Sequence, residues 1–517
     1  MVSFCSDRIR GQTPHPATAS HEYRARMREG YGDRQAPPAR WLTGWRKERV
    51  LQQRNPQPLG PDAIKDIGAT LDRVSPTLCL AKWYKATIYL QTGETHSCYH
   101  PPPHRIPLET LAADPSGLHN TPQKKAERQQ MMAGERPSGC QYCWNVEALG
   151  PGHISDRMLM SAYMFDASRL AEVSAGAAER HVNPAYLELS FENTCNFKCG
   201  YCHPMVSSRY MAEIARFGPY DRVESHRLDV DPAAVPRGES AYVAVFWRWW
   251  PTLKRDLRVL RLTGGEPLLH RSTWRMLDEI RDDPLPDLEL SINTNLGVSA
   301  RLLRRLTESV NALNDGGAVG QFKLYTSLDC WGPAAEYIRT GLDLAQWERN
   351  LHTFITECRS PVEIMCTFNA LCVTRFRSLL EKVLEWRARY HDVIDHFPLT
   401  QDHKIKLETH YLTHPLQLDV NILPKSEFMP YIRDCLDFIA GHVDDGDARQ
   451  FSTLEYEKFR RLAAYMETTN YPPERLARGR RDFGRWITEH DRRRGTDFRA
   501  TFPEYRDFLG ACLQSDN

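Results

Sequence analysis

Three cysteines in one short loop constrain this chain more than any other feature. Cys195, Cys199 and Cys202 fall at C-x3-C-x2-C spacing in Cys195-Asn196-Phe197-Lys198-Cys199-Gly200-Tyr201-Cys202, directly after the extended apolar run Tyr186–Phe191. Soft thiolates select iron–sulfur clusters and zinc. Three of them in one loop can hold three corners of a [4Fe–4S] cube, leaving the fourth iron open to a ligand that is not a cysteine. A zinc knuckle is the other reading of the spacing alone.

A second cysteine set lies upstream. Cys79 precedes the alternating segment Lys85–Leu90, a Gln91-Thr92-Gly93 turn, and a second short strand ending at Cys98, which together read as a β-hairpin. Gly139-Cys140-Gln141-Tyr142-Cys143-Trp144 then supplies a C-x-x-C. Cys79, Cys98, Cys140 and Cys143 make a complete four-sulfur set, suited to a structural zinc or to a second cluster. Glu147, Ser155 and Arg157 come next, and read as a helix cap and an ion pair.

From about 185 to 424 strand-like and helix-like stretches alternate, the pattern of repeated β-α units around a parallel sheet. The strand Leu257–Thr263 ends in Gly264-Gly265-Glu266-Pro267. Glycines there let the backbone approach a ligand closely, and a carboxylate can accept from an ammonium group. The strands Leu288–Asn295 and Phe322–Asp329 also end in polar groups, the place where parallel α/β folds hold ligands. Val362–Asn369 is counted as the sixth strand, a helix is expected over Arg377–Tyr390, and Leu416–Leu423 is expected to extend the sheet.

The 517 residues suggest several domains. They divide as an irregular Pro/Arg-rich arm over 1–76, the four-cysteine module over 77–180, the α/β core over 181–425, and a helical region over 426–517 with helices at Ser426–Phe438, Ala448–Glu467 and Pro473–Arg494. Lys+Arg 67 against Asp+Glu 66 gives a net charge of +1, which argues against a nucleic-acid partner. No apolar run approaches a membrane span. Fourteen cysteines without a secretory signal lead to an expected cytoplasmic location.

The cysteine loop, with Tyr201 just before its last cysteine, and the later Gly264–Pro267 stretch resemble the signature of the radical S-adenosylmethionine (SAM) superfamily. The resemblance implies a partial (β/α)6 TIM-like barrel, with SAM chelated at the open iron of a [4Fe–4S] cluster on Cys195, Cys199 and Cys202. It implies that Gly264, Gly265, Glu266 and Pro267 meet the methionine amino group, and that Asn295 and Ser327 reach the SAM ribose and carboxylate. Arg339 has a family parallel that reaches a carboxylate, a solvent salt bridge being its other reading.

The order Cys79, Gly93-x4-Cys98, Cys140-x2-Cys143 resembles the auxiliary-cluster modules called twitch and SPASM domains, here placed before the radical core rather than after it. This resemblance implies an enzyme that cleaves SAM to a 5′-deoxyadenosyl radical and abstracts hydrogen from a small-molecule or peptide substrate. It would be fed electrons by a donor such as flavodoxin or ferredoxin. An auxiliary [4Fe–4S] cluster with four cysteines has no open iron, so an electron-acceptor role in an oxidation or peptide modification is expected. Two alternatives stand beside it. Cys330 at a strand's end could return a hydrogen atom in a redox-neutral epimerisation, and zinc in both cysteine sets would make a non-enzymatic binding protein. Cys366 and Cys372 are weaker candidates than Cys330, and Cys5, Cys358, Cys435 and Cys512 read as structural.

Overall fold

The computed structural model describes residues 60–148, 150, 153–176, 180–220, 222–224, 240–358, 360–391 and 404–514. Most of the expected N-terminal arm, residues 1–59, therefore lies outside the described residues. The arm does not extend to Pro76 as expected, because Pro61–Asp72 is a helix. Proline at its first position and Asp62 in its first turn favour initiation, and Ile64 and Leu71 are buried.

Among the described residues, eleven strands come after this helix: β1 Lys85–Tyr89, β2 Glu94–His96, β3 His104–Arg105, β4 Tyr186–Ser190, β5 Lys198–Cys199, β6 Val259–Thr263, β7 Leu285–Thr294, β8 Val319–Ser327, β9 Arg339–Thr340, β10 Val362–Phe368 and β11 Ile405–Tyr411. Nine form one sheet in the order β11-β10-β8-β7-β6-β4-β1-β2-β3, while β5 and β9 pair separately. Within the large sheet β1, β4, β6, β7, β8, β10 and β11 are all parallel. The fold is thus mixed α/β, built on a large parallel sheet with helices between its strands.

The hairpin is not an appendage. β1 lies in parallel register on β4, from Lys85 opposite Tyr186 to Tyr89 opposite Ser190. The turn between β1 and β2 ends at Gly93, whose φ of +67° suits glycine. The hairpin therefore continues the sheet that carries the cysteine loop.

Each strand divides its side chains between two faces. Leu187, Leu260, Leu290, Leu324 and Ile364 are fully buried beneath the helices. Burying such a side chain contributes about 1.5–3 kcal/mol, so this face holds the sheet together. The opposite face carries Glu188, Arg261, Asn293, Tyr325 and Glu363, among which Arg261 is the hub. Its Nε donates to Asn293 Oδ1 at 2.8 Å and its guanidinium lies 4.2 Å from the Tyr325 ring centroid.

Two sequence expectations change here. Leu416–Leu423 is not a strand but two 3-10 turns, Leu416–Leu418 and Val420–Ile422, the second capped by Asp419, which accepts from Asn421 N at 2.8 Å. The strand next to β10 is instead β11, so Val362–Phe368 is the fifth parallel strand from β4 onward and β11 the sixth. Both segments alternate apolar residues, and alternation alone does not separate them.

Toward the C terminus run the helices Lys425–Ala440, Thr453–Thr468 and Pro473–Arg494. Thr453–Thr468 starts at a Ser452/Glu455 capping box. Glu455 also accepts from Arg387 Nη2 at 2.6 Å and from Leu407 N at 2.8 Å, tying this helix to β11. No helix among the described residues is long and apolar enough to cross a membrane.

Candidate functional site

Because the strands run parallel, their C-terminal ends share one edge of the sheet. The cysteine loop leaves β4 there, Gly264–Pro267 leaves β6, Asn295 leaves β7, and Ser327 closes β8 ahead of Asp329 and Cys330.

The glycines of Gly264-Gly265 serve the cysteine loop directly. Gly265 N donates to Glu192 O at 3.3 Å and Glu266 N to Thr194 O at 2.8 Å. A Cβ on Gly265 would lie 2.3 Å from Thr194 O, and Gly264 sits at φ +122° with no room beside Ser190 and Glu192. The close approach inferred from the sequence is thus an approach to the backbone that enters the cysteine motif.

Glu266 is fully buried, and its carboxylate accepts from Leu268 N at 3.1 Å, Thr294 Oγ1 at 2.8 Å and Asn295 N at 2.6 Å. It clamps the ends of β6 and β7 together. Burial pushes its pKa up to about 7, against these hydrogen bonds. Pro267 begins the 3-10 turn Pro267–Leu269 and is buried. Asn295 Nδ2 donates to Asn196 Oδ1 at 2.7 Å and lies 3.9 Å from Cys195 Sγ.

The loop itself is held from several sides. β5, its middle, pairs antiparallel with β9, Cys199 opposite Arg339. Gly200 N donates to Ile338 O at 2.8 Å and Cys195 N to Ser208 Oγ at 3.1 Å. Phe197 N points at Cys195 Sγ at 3.4 Å. Burial raises all three thiols, Cys195 up to about 12. Cys199 and Cys195 raise Cys202 further.

Two groups that sequence reasoning missed secure this loop. Asp329, fully buried, accepts from Arg339 Nε and Nη2, both at 2.9 Å, from Tyr201 Oη at 2.8 Å and from Thr367 N at 2.9 Å. Arg339 is therefore neither at the solvent nor free for a ligand's carboxylate; its remaining Nη1 lies 3.9 Å from Cys199 Sγ. The helix Pro473–Arg494 is the second. Trp486 packs so closely on Gly200 that a Cβ there would lie 2.8 Å from the ring. Arg494 donates to Lys198 O at 2.6 Å and to Glu213 at 3.1 Å.

Cys330 is fully buried, with Cys372 and Asp329 raising its thiol further, and Cys366 donates to Asp329 O at 3.4 Å. Cys358, Cys435 and Cys512 are buried in the hydrophobic core. Cys5 lies outside the described residues.

The upstream cysteines do come together. Cys79, Cys98, Cys140 and Cys143 line one recess with Lys82, His100, Trp144, Asp156 and Arg157. Cys140 precedes the helix Gln141–Glu147 that contains Cys143. Ser155 caps the helix Asp156–Met164 and donates to Glu147 at 2.5 Å; Arg157 donates to Glu147 at 2.8 Å and to Asp72 at 3.0 Å. Cap and ion pair are both present, and together they form the wall behind the cysteines. Among the described residues, no group of three His, Cys, Asp or Glu side chains stands in the arrangement of a single metal-ion site.

No family model matches the chain. A GTP 3′,8-cyclase of Acidothermus cellulolyticus is 32% identical over 137 residues, 25% of this chain and 32% of that protein. A probable GTP 3′,8-cyclase of Methanococcus vannielii is 25% identical over 186 residues, 36% of this chain and 50% of that protein. The chain thus spans between a third and a half of the length of these relatives. Among solved structures, Streptococcus suis SuiB bound to S-adenosylmethionine has a TM-score of 0.29 and 12% identity over 57% of this chain and 67% of that one, a likeness too low to carry weight. The cysteine loop, the glycine turn packed against it, and the similarity of part of the chain to GTP 3′,8-cyclases support the resemblance to the radical SAM superfamily.

Proposed function

We propose that this protein is a radical SAM enzyme with a partial (β/α)6 barrel, in which Cys195, Cys199 and Cys202 hold a [4Fe–4S] cluster and Cys79, Cys98, Cys140 and Cys143 hold an auxiliary one. The donor sets fit in number and kind: three thiols on one loop, and four thiols around one recess. When bound, cluster and SAM supply a 5′-deoxyadenosyl radical that abstracts a substrate hydrogen. The observation that carries the reading is the packing of Gly264–Glu266 on the cysteine loop, which fixes a strand-end turn beside the thiol set.

The protein's own work is to bind, orient and exclude water. Gly264, Gly265 and Pro267 present backbone to the methionine end of SAM, while Glu266, its carboxylate already engaged, holds that backbone in place. Asn295 and Ser327 stand at the adjoining strand ends for the ribose and carboxylate. Arg339 and Asp329 set the position of Tyr201 and Cys199. A cluster held by Cys79, Cys98, Cys140 and Cys143 would supply an acceptor for one electron from the substrate, which suits a net oxidation of a small molecule or peptide.

Anaerobically reconstituted protein given dithionite and SAM tests this. The parent should release 5′-deoxyadenosine, and the Cys195→Ala/Cys199→Ala/Cys202→Ala variant none. Failure of the iron-loaded parent to cleave SAM overturns the reading.

A further inference from the structure

The wall behind the four upstream cysteines contains more buried cations than its acids balance. Lys82 lines the recess itself, is 2% exposed, and has Glu127 as its ion-pair partner. Behind it Lys124 is 1% exposed and Arg128 fully buried. Lys124 Nζ donates to Thr95 Oγ1 at 2.9 Å and lies 3.3 Å from His119 Nδ1. Arg128 donates to Lys82 O and Asn120 Oδ1, both at 2.9 Å, and lies 3.0 Å from His119 Nε2. Among the described residues, neither Lys124 nor Arg128 donates to a carboxylate. Arg157 at the recess is matched by Glu147 and Asp72, and Asp156 meets His100 Nε2 at 2.7 Å.

A buried ammonium without a counter-charge costs several kcal/mol. Such an arrangement persists where something else supplies the negative charge. Burial pushes Lys124 well below the usual lysine range, Arg128 and Lys82 add to that shift, and Glu127 and Cys98 oppose it. Burial works against the Lys82 charge, but Cys140, Glu127 and Cys98 outweigh it and hold its pKa up. Lys82 shares the recess with all four cysteines, Lys124 is bonded to Thr95, three residues before Cys98, and Arg128 is bonded to the Lys82 carbonyl, so the three cations back onto the thiols.

We propose that Lys82, Lys124 and Arg128 are the built-in counter-charge of an anionic tetrathiolate cluster on Cys79, Cys98, Cys140 and Cys143, and that they raise its reduction potential. The proposal rests on the reading of that recess as an auxiliary-cluster site. A four-cysteine cubane is a dianion when oxidised and a trianion after one electron, so buried cations nearby stabilise the reduced form more than the oxidised one. The bias suits a site that accepts an electron from a substrate radical and is then reoxidised by an external carrier.

The test uses the full chain carrying Cys195→Ala/Cys199→Ala/Cys202→Ala, which leaves only the auxiliary site to read. Its midpoint potential is measured by dithionite titration with detection by electron paramagnetic resonance. Lys82→Met and Lys124→Met, each added singly, should retain the irons and make reduction at least tenfold less favourable, a downward shift of about 59 mV for a one-electron couple. Lys82→Arg keeps the charge and should keep the parent potential, and so should Thr95→Val, which removes the hydroxyl under Lys124 but no charge. Unchanged potentials in both methionine variants overturn the proposal, as does an equal shift in Thr95→Val. If this background holds zinc or no iron before any lysine is changed, the auxiliary-cluster reading itself has failed.

Discussion

Arg339 grips Asp329 through two hydrogen bonds of 2.9 Å, and both side chains are buried. Burial works against the arginine's charge, but Asp329 holds its pKa well above the usual value. The pair ties the end of β8 to β9, and β9 pairs with the cysteine loop. Removing one member leaves the other charged and buried, which costs about 3–5 kcal/mol. Asp329→Asn and Arg339→Met should each lose that much stability in urea unfolding, and the double variant should lose less than the sum.

Gly265→Ala should displace the cysteine loop, since its Cβ would lie 2.3 Å from Thr194 O, a backbone atom that cannot swing aside. The expected result is loss of the loop's irons with those of the four-cysteine site retained. Gly134→Ala, at φ +77° but with its nearest atom 3.9 Å away, should keep both sets. Metal analysis of the two proteins checks the contrast.

Glu213 anchors the helix Pro473–Arg494 to the cysteine loop by accepting from Arg494, Lys198 and Tyr220. Burial pushes its pKa up, but Arg494, Lys198 and Tyr220 outweigh it and hold the pKa down at about 2, from 4.5. The folded state thus binds fewer protons than the unfolded one between these values. The resulting stability is fully present above the unfolded pKa and is lost as pH falls toward about 2. Glu213→Gln should be less stable than the parent at neutral pH, with the gap narrowing below pH 4.5 in chemical unfolding.

Glu266 has the opposite sign. Its folded pKa of about 7 lies above the ordinary 4.5, so the folded state binds more protons across that window and stability falls as pH rises through it. Glu266→Gln should lower stability throughout, because its amide nitrogen would face a donor such as Asn295 N. Its stability should also decline less steeply than the parent's between pH 4.5 and 7 in the same unfolding series.

The chemistry-bearing loop is legible in the sequence because three thiols and a later glycine turn are local patterns with few other uses. What secures them is not. Asp329 reads in sequence as a polar strand end, and its partners Tyr201 and Arg339 come from separate elements that only the sheet brings together. Arg494 reads as a basic residue closing a helix, yet it reaches Lys198 O, nearly three hundred residues earlier in the chain. Leu416–Leu423 and β11 both alternate, and which of them joins the sheet depends on which one finds a neighbour in β10. The hairpin is legible as a hairpin; its parallel pairing with β4 is a tertiary contact with no local signal.

The most direct measurement is an iron and acid-labile sulfide count on anaerobically reconstituted protein, made for the parent, the Cys195→Ala/Cys199→Ala/Cys202→Ala variant, and the Cys79→Ala/Cys98→Ala/Cys140→Ala/Cys143→Ala variant. Two independent cubanes require about eight irons in the parent and about four in each variant. About four in the parent and in the upstream variant, with none in the loop variant, would contradict the two-cluster account and leave the upstream recess to zinc or free thiols.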